Sequence, residues 1–258
     1  MVSDSAAQAD GESSPPRRKR RSASWRRLAA IVPTAALGLA LLVLGVPRTI
    51  AAWEALAASP TLEKLEIGKI RPTDAELAEA VAGLESAIAW VPSGRRYADL
   101  AFLEVEQVLR LPPNDVRRKT LLVRAEQHLI DGLSANPADG FAWLRLAIVR
   151  ELSDAPPRQI ALALAQSLDV APNVRQLWLP RATMLLAYWR YLTVDEVLAM
   201  RAQLRTVWVY GKALRLPLLH AADRLGQAAM ISWGIGDDPS AQAELAKLQE
   251  NLPKLMPR

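Results

Sequence analysis

The chain has no cysteine, and histidine and phenylalanine each occur only twice among its 258 residues. The first absence excludes disulfides and thiolate metal sites. The two histidines, His128 and His220, are far apart in sequence, and neither has metal-ligand spacing around it. His128 flanks an apolar helical face and reads as a satisfied edge residue rather than a ligand. GxSxG, HExxH, the phosphate-binding GxxxxGK and GxGxxG are all missing. The short "GIG" at Gly234–Gly236 reads as a turn. Glu104 and Glu106 are two apart, so on a helix they do not face each other. Asp195 and Glu196 stand at a helix start, where the helix dipole favours carboxylates. No catalytic residue, cofactor site or metal site is therefore expected. Strand-length alternation of apolar and polar residues is also missing, so no sheet is expected.

What is present is Ala and Leu in abundance, which favours helix. The net charge is +5, but its distribution matters more than its size. Seven of the basic residues lie between Arg17 and Arg27, and without them the chain is close to neutral. Residues 1–27 are polar and hold the run "RRKRR". Their apolar content is too low to fold, and they read as a disordered basic cytoplasmic tail.

Next comes "LAAIVPTAALGLALLVLGV", Leu28 to Val46, with no charge. A helix of about 20 apolar residues crosses a bilayer core, so this stretch is expected as a transmembrane helix. Pro33 near one end is tolerated in such a helix. Before it stand Arg17, Arg18, Lys19, Arg20, Arg21, Arg26 and Arg27. After it, Arg48 is the only basic residue before Lys64. Basic excess marks the cytoplasmic side, which places the N-terminus inside and the rest of the chain outside. A cleaved signal peptide competes with this reading. Its apolar region is usually about 7–15 residues, and the long polar lead here is atypical of one. A nucleic-acid-binding basic tail is the other competitor, although such runs are common beside membrane spans.

Residues 47–72 read as a linker, and 73–258 as a helical domain. Thr73 with Glu76, and Thr193 with Glu196, are capping boxes that open helices. Helices are expected over about 95–111, 116–134, 139–152 and 158–170, followed by one reaching about Tyr191 and one from Thr193 to about Leu216. Two more are expected, over about 218–232 and 241–252. Pro217 is expected to kink or end the long one, and Pro239 to occupy a first helical position. Pro180, inside a helix, should kink it.

"NPADGFAWLRLA" (Asn136–Ala147) and "APNVRQLWLPRA" (Ala171–Ala182) share Pro, Trp, Leu and Ala at four equivalent positions, 35 residues apart. A period of about 34 residues built from two helices and a closing Pro resembles the tetratricopeptide repeat. Trp143, Leu146 and Ala147 match the start of that family's first helix, and Pro172 matches its end. Ala125, Gly132 and Pro137 fit a preceding unit, and Trp178 and Ala182 a following one. Arg181, Pro180 and Ile160 depart from the pattern. The resemblance implies an antiparallel helix-pair solenoid in which these positions are structural and the tryptophans supply buried area.

A second, narrower resemblance rests on Ala142–Ala147, Ser167–Pro172 and Leu185–Trp189. These stretches are similar to VpsP-type bacterial polysaccharide biosynthesis proteins, small membrane-anchored proteins of exopolysaccharide synthesis. This resemblance implies a bacterial inner-membrane protein with a periplasmic domain, partnered with other envelope polysaccharide-assembly proteins and binding no nucleic acid. The rival expectations are a general periplasmic scaffold in division or secretion, and a small helical enzyme acting on polysaccharide.

Overall fold

The computed structural model describes residues 20–68 and 70–255, and every regular element among them is helical. Part of the tail expected to be disordered, residues 1–19, lies outside the described residues. Arg20–Arg27 differ from that expectation, because they form the first turns of α1 (Arg20–Leu56). Arg, Ala and Ser extend an existing apolar helix at little cost, since the unfavourable nucleation step is already made.

Within α1, Ile31–Leu56 is long and apolar enough to cross a membrane, with a mean hydropathy of 1.8. Pro33 and Pro47 both lie inside the helix. The chain divides after Thr49 into two compact units, of which the second, from Ile50, is the helical domain.

The stretch expected as a linker is largely helical. The end of α1 and α2 (Ser59–Ile67) occupy most of it. Ala51 and Ala58 are buried, and Leu62 and Leu65 pack on a small core with Leu77, Ala80, Leu84, Leu100 and Leu103. Apolar residues at helical spacing give the segment something to bury, which a linker does not have.

The rest follows as α3 (Asp74–Trp90), α4 (Gly94–Arg110), α5 (Arg117–Ala135), α6 (Gly140–Leu152), α7 (Pro157–Val170), α8 (Arg175–Tyr188), α9 (Val194–Tyr210), α10 (Arg215–Arg224), α11 (Ala228–Ile235) and α12 (Pro239–Leu255). Both capping boxes form. Thr73 Oγ1 accepts from Glu76 N at 3.2 Å, and Glu76 Oε2 accepts from Thr73 N at 2.8 Å. The corresponding distances at Thr193 and Glu196 are 3.4 and 2.6 Å. Asp139 caps α6 by accepting from Phe141 N and Ala142 N.

The chain departs from expectation after α9. The long helix stops at Tyr210 rather than near Pro217. Gly211 is buried there, and a Cβ on it would lie 2.7 Å from the Val207 carbonyl oxygen. A 3-10 turn, Lys212–Leu214, follows. Pro217 then falls in the first turn of α10, where its missing N–H has no partner to lose. The helix expected over 218–232 is two helices, separated at Gly226, whose φ is +66°. Pro239 opens α12 as expected. Pro180 sits inside α8 with its ring exposed.

Each helix of the domain packs principally on the next one and on the next but one. Polar side chains reinforce the longer step. Arg145 of α6 donates to Ala98 O (3.0 Å) and pairs with Asp99 (3.2 Å) on α4. Tyr188 of α8 donates to Glu151 of α6 at 3.0 Å, and burial followed by that carboxylate pushes the phenol up to about 12. Arg158 of α7 reaches both carboxylate oxygens of Glu196 on α9, at 2.6 and 3.0 Å.

Within a pair, close approach depends on small residues. A Cβ on Gly94 would sit 2.8 Å from the Gly132 carbonyl oxygen, and one on Gly132 would sit 3.0 Å from that of Gly94. Any larger side chain at either place would push α4 and α5 apart. A second, larger core runs through α4 to α12 and includes Leu146, Trp178, Leu204 and Trp208.

Candidate functional site

The structure treats the two echoed stretches alike at the local level. Trp143 Nε1 donates to Pro137 O at 2.9 Å, and Trp178 Nε1 donates to Pro172 O at 3.2 Å. In both, the acceptor is the proline six residues back, and the tryptophan is the fourth residue of its helix. Leu146, Ala147 and Ala182 are buried, while Pro172 is exposed. The two tryptophans differ in one respect: Trp178 is buried, whereas Trp143 is half-buried and packs on the edge of the core. Trp143 borders a shallow cleft of about 240 Å³ between α5 and α6, with Ile130 and Arg150. The open cleft explains why this tryptophan covers the core edge without being sealed over.

Sequence comparison at one fixed interval misses a third instance. Tyr97 is the fourth residue of α4, followed by Leu100 and Ala101, as Trp143 is followed by Leu146 and Ala147. Ala101, Ala147 and Ala182 are all fully buried. The separation from Tyr97 to Trp143 is 46 residues rather than 35, because α4, α5 and the turn between them are longer. The motif aromatic-x-x-Leu-Ala, read without a fixed period, would have found it.

At the fourth position of this motif Leu100 and Leu146 are replaced by Arg181, a departure visible in the sequence whose consequence was not. Arg181 is fully buried and, among the described residues, is paired with no carboxylate. Its Nη2 donates to the Ala171 carbonyl at the C-terminal end of α7, at 3.1 Å. Its Nη1 lies 3.4 Å from Gln203 Oε1 on α9, and its Nε has no partner. Burial alone pulls the guanidinium down to about 10, so it stays charged at neutral pH. A cation at a helix C-terminus is favoured by the helix dipole. Arg181 thus joins the end of α7, the middle of α8 and the middle of α9.

A second polar centre lies in α3–α5. Glu104, fully buried, faces His128 Nδ1 at 2.9 Å. Arg124 Nε lies 3.1 Å from its other oxygen, and Arg124 also pairs with Glu85 at 2.5 Å. The Tyr97 ring stacks on His128 with centroids 6.0 Å apart. Glu106 points elsewhere, to Arg110. His128 is therefore a partnered residue at the edge of the core, and His220 lies apart from it in α10. A carboxylate–imidazole pair is the raw material of acid–base chemistry. Glu104, however, is sealed, and neither residue lines the cleft of about 590 Å³ between α3, α4 and α5.

That cleft is bordered by Asp74, Arg110 and Arg117. Its charges are internally neutralised, as Arg110 pairs with Asp74 and Arg117 with Asp115. Among the described residues no group of three or more His, Asp or Glu side chains is placed to hold a metal ion. Asp195 and Glu196 occupy the first turn of α9. Glu196 is pushed up by burial but pulled further down by Arg158 and Thr193, and so remains ionised. Comparison with protein families, with curated proteins and with solved structures finds no match.

Proposed function

We propose that the chain is a membrane-anchored, non-catalytic scaffold that works through protein–protein binding on a helical-repeat surface. The observation that carries this reading is the same proline–tryptophan hydrogen bond in two successive helix pairs, 35 residues apart. Packing of each helix on the next and the next but one supports stacked pairs of tetratricopeptide type. Elongated stacks of this kind offer broad surfaces and bind through many shared contacts.

The anchor in this reading is the apolar part of α1. The seven-to-one basic asymmetry around Leu28–Val46 supports a bacterial inner-membrane protein with a cytoplasmic N-terminus and a periplasmic domain. The resemblance of Ala142–Ala147, Ser167–Pro172 and Leu185–Trp189 to VpsP-type proteins supports a role in envelope exopolysaccharide biosynthesis or export, alongside other assembly proteins.

An alkaline phosphatase fused after Arg258 tests the topology and should be active; activity of a cytoplasmic reporter there instead overturns it. The function is tested by an alanine scan of Asp, Glu and His over residues 70–258, reading polysaccharide output and protein abundance together. Each single change is expected to lower output modestly, because binding energy is spread over many contacts. One carboxylate or histidine whose loss abolishes output at normal abundance would show catalysis and sink the scaffold reading.

A further inference from the structure

The domain has a concave surface that carries charge of one sign only. Between α7 and α9 lies a cleft of about 450 Å³, and no Lys or Arg lines it. Asp169, Asp195 and Glu196 do line it. Glu196 is committed to Arg158 and to its capping box. Asp169 and Asp195 are exposed and make no ion pair among the described residues. Asp195 is accounted for by the first turn of α9, where a carboxylate is favoured. Asp169 is not accounted for in this way. It stands in the last turn of α7, at the negative end of the helix, where a carboxylate is disfavoured.

A second observation comes from the floor of the cleft. Gln203 lines it and is 3% exposed, and its amide nitrogen has no hydrogen-bond partner. Its oxygen is held from behind by Arg181. With the oxygen turned to Arg181, the amino group of the planar amide is left as a spare donor. Buried donors are rarely left unpaired. Ala165, Ala199 and Ala202 leave room above this floor. No group of acidic side chains among the described residues is placed to hold a metal ion, which disfavours a bare cation as the occupant.

We propose that the α7–α9 cleft docks an extended, basic peptide segment of a partner protein. A lysine or arginine of that segment pairs with Asp169 and Asp195, and a main-chain carbonyl accepts from Gln203, whose sealed amide turns towards the cleft as the segment docks. The proposal rests on the scaffold reading and names the surface and the partner chemistry.

The test uses the full chain in detergent and a fluorescein-labelled octapeptide of alternating lysine and glycine, with the glutamate–glycine octapeptide as control. The lysine peptide should bind saturably and the glutamate peptide should not. Asp169→Asn with Asp195→Asn should weaken binding roughly five- to tenfold, as expected for two exposed charge pairs. The control pair Asp223→Asn with Asp237→Asn, elsewhere on the surface, should leave binding unchanged. Gln203→Glu keeps an acceptor for Arg181 but removes the donor, so it should weaken binding despite its added negative charge. Thermal melting of each variant separates these effects from loss of fold. No saturable binding, an equal effect from the control pair, or tighter binding by Gln203→Glu would overturn the site. Such a failure would leave the scaffold reading to its own test, the alanine scan of polysaccharide output.

Discussion

The pairs α6–α7 and α8–α9 begin with nearly the same words and end as different structures. In α6 the motif's fourth place holds Leu146, 2% exposed and part of the larger apolar core. Gly140 at the start of α6 lets the end of α7 come so close that a Cβ would collide with Ala171. Ser167 Oγ closes that end by donating to Gly140 O at 2.7 Å. In α8 the same place holds Arg181, which reaches the α7 terminus and Gln203 instead. The contact of α8 with α9 is less extensive than that of α6 with α7. One register position can thus be filled by hydrocarbon, which seals a pair, or by a buried cation, which ties three helices together and leaves a polar floor beside the seam.

The sharpest way to break this comparison is to give α6 the solution used by α8. Leu146→Arg places a second charge beside Arg150, in a cleft whose lining holds no carboxylate. The effective penalty is several kcal/mol per ion, against a typical domain stability of about 5–15 kcal/mol. The variant should fail to accumulate as folded protein, as measured by circular dichroism and protease resistance. A folded Leu146→Arg would show that the position is not a sealed core site.

A smaller effect is expected from the two tryptophans. Trp178→Ala should cost about 3–5 kcal/mol, the range for a buried aromatic. Trp143→Ala, on the cleft edge, should cost no more than about half of that. Urea midpoints of the two variants check the ranking, and a larger loss at Trp143 would reverse it.

Smaller again is the loss at the Arg181 centre. Gln203→Leu leaves a guanidinium donor without its acceptor and should cost about 1–3 kcal/mol. Adding Arg181→Met should restore part of this, since it removes the stranded donor but also the one that the Ala171 carbonyl accepts from. The four-way comparison of melting temperatures measures the coupling directly, and strict additivity would mean that the two side chains do not interact.

The smallest effect compares the two capping boxes. Bonds from Lys64 and then from Thr73 hold Glu76 down to about 2, from an ordinary 4.5. A depressed folded value means that the stabilisation is complete above about pH 4.5 and is lost as the pH falls towards 2. Glu76→Gln, which can still cap but does not titrate, should flatten the fall in urea midpoint over that window. An unchanged slope would remove Glu76 from the acid response.

Local rules explain what the sequence made legible. Thr73–Glu76, Thr193–Glu196 and Pro239 act within one helical turn, so their roles could be read directly. The break at Gly211 was missed although its contact is local too: the atom a Cβ would meet is the Val207 carbonyl oxygen, one helical turn back. Pro217 looked like the stronger breaker, yet a proline is harmless in a first turn, and which turn is first depends on the earlier break. The half-exposure of Trp143 depends on the cleft between α5 and α6, which no spacing encodes. Arg181 was visible as an exception. Its role depends on the Ala171 carbonyl ten residues before it and on Gln203 a helix away, and the second of these is a tertiary fact.

Because each helix leans mainly on its two nearest predecessors and successors in sequence, few contacts must wait for distant parts of the chain to meet. Such low contact order is associated with fast folding. It also distributes unfolding. Opening need not be all-or-none and can start in a sparsely packed helix such as α12 and travel on, one helix at a time. Amide exchange should therefore form a gradient, fastest in α12 and slowing towards the seam of α6 with α7, rather than a single protected plateau.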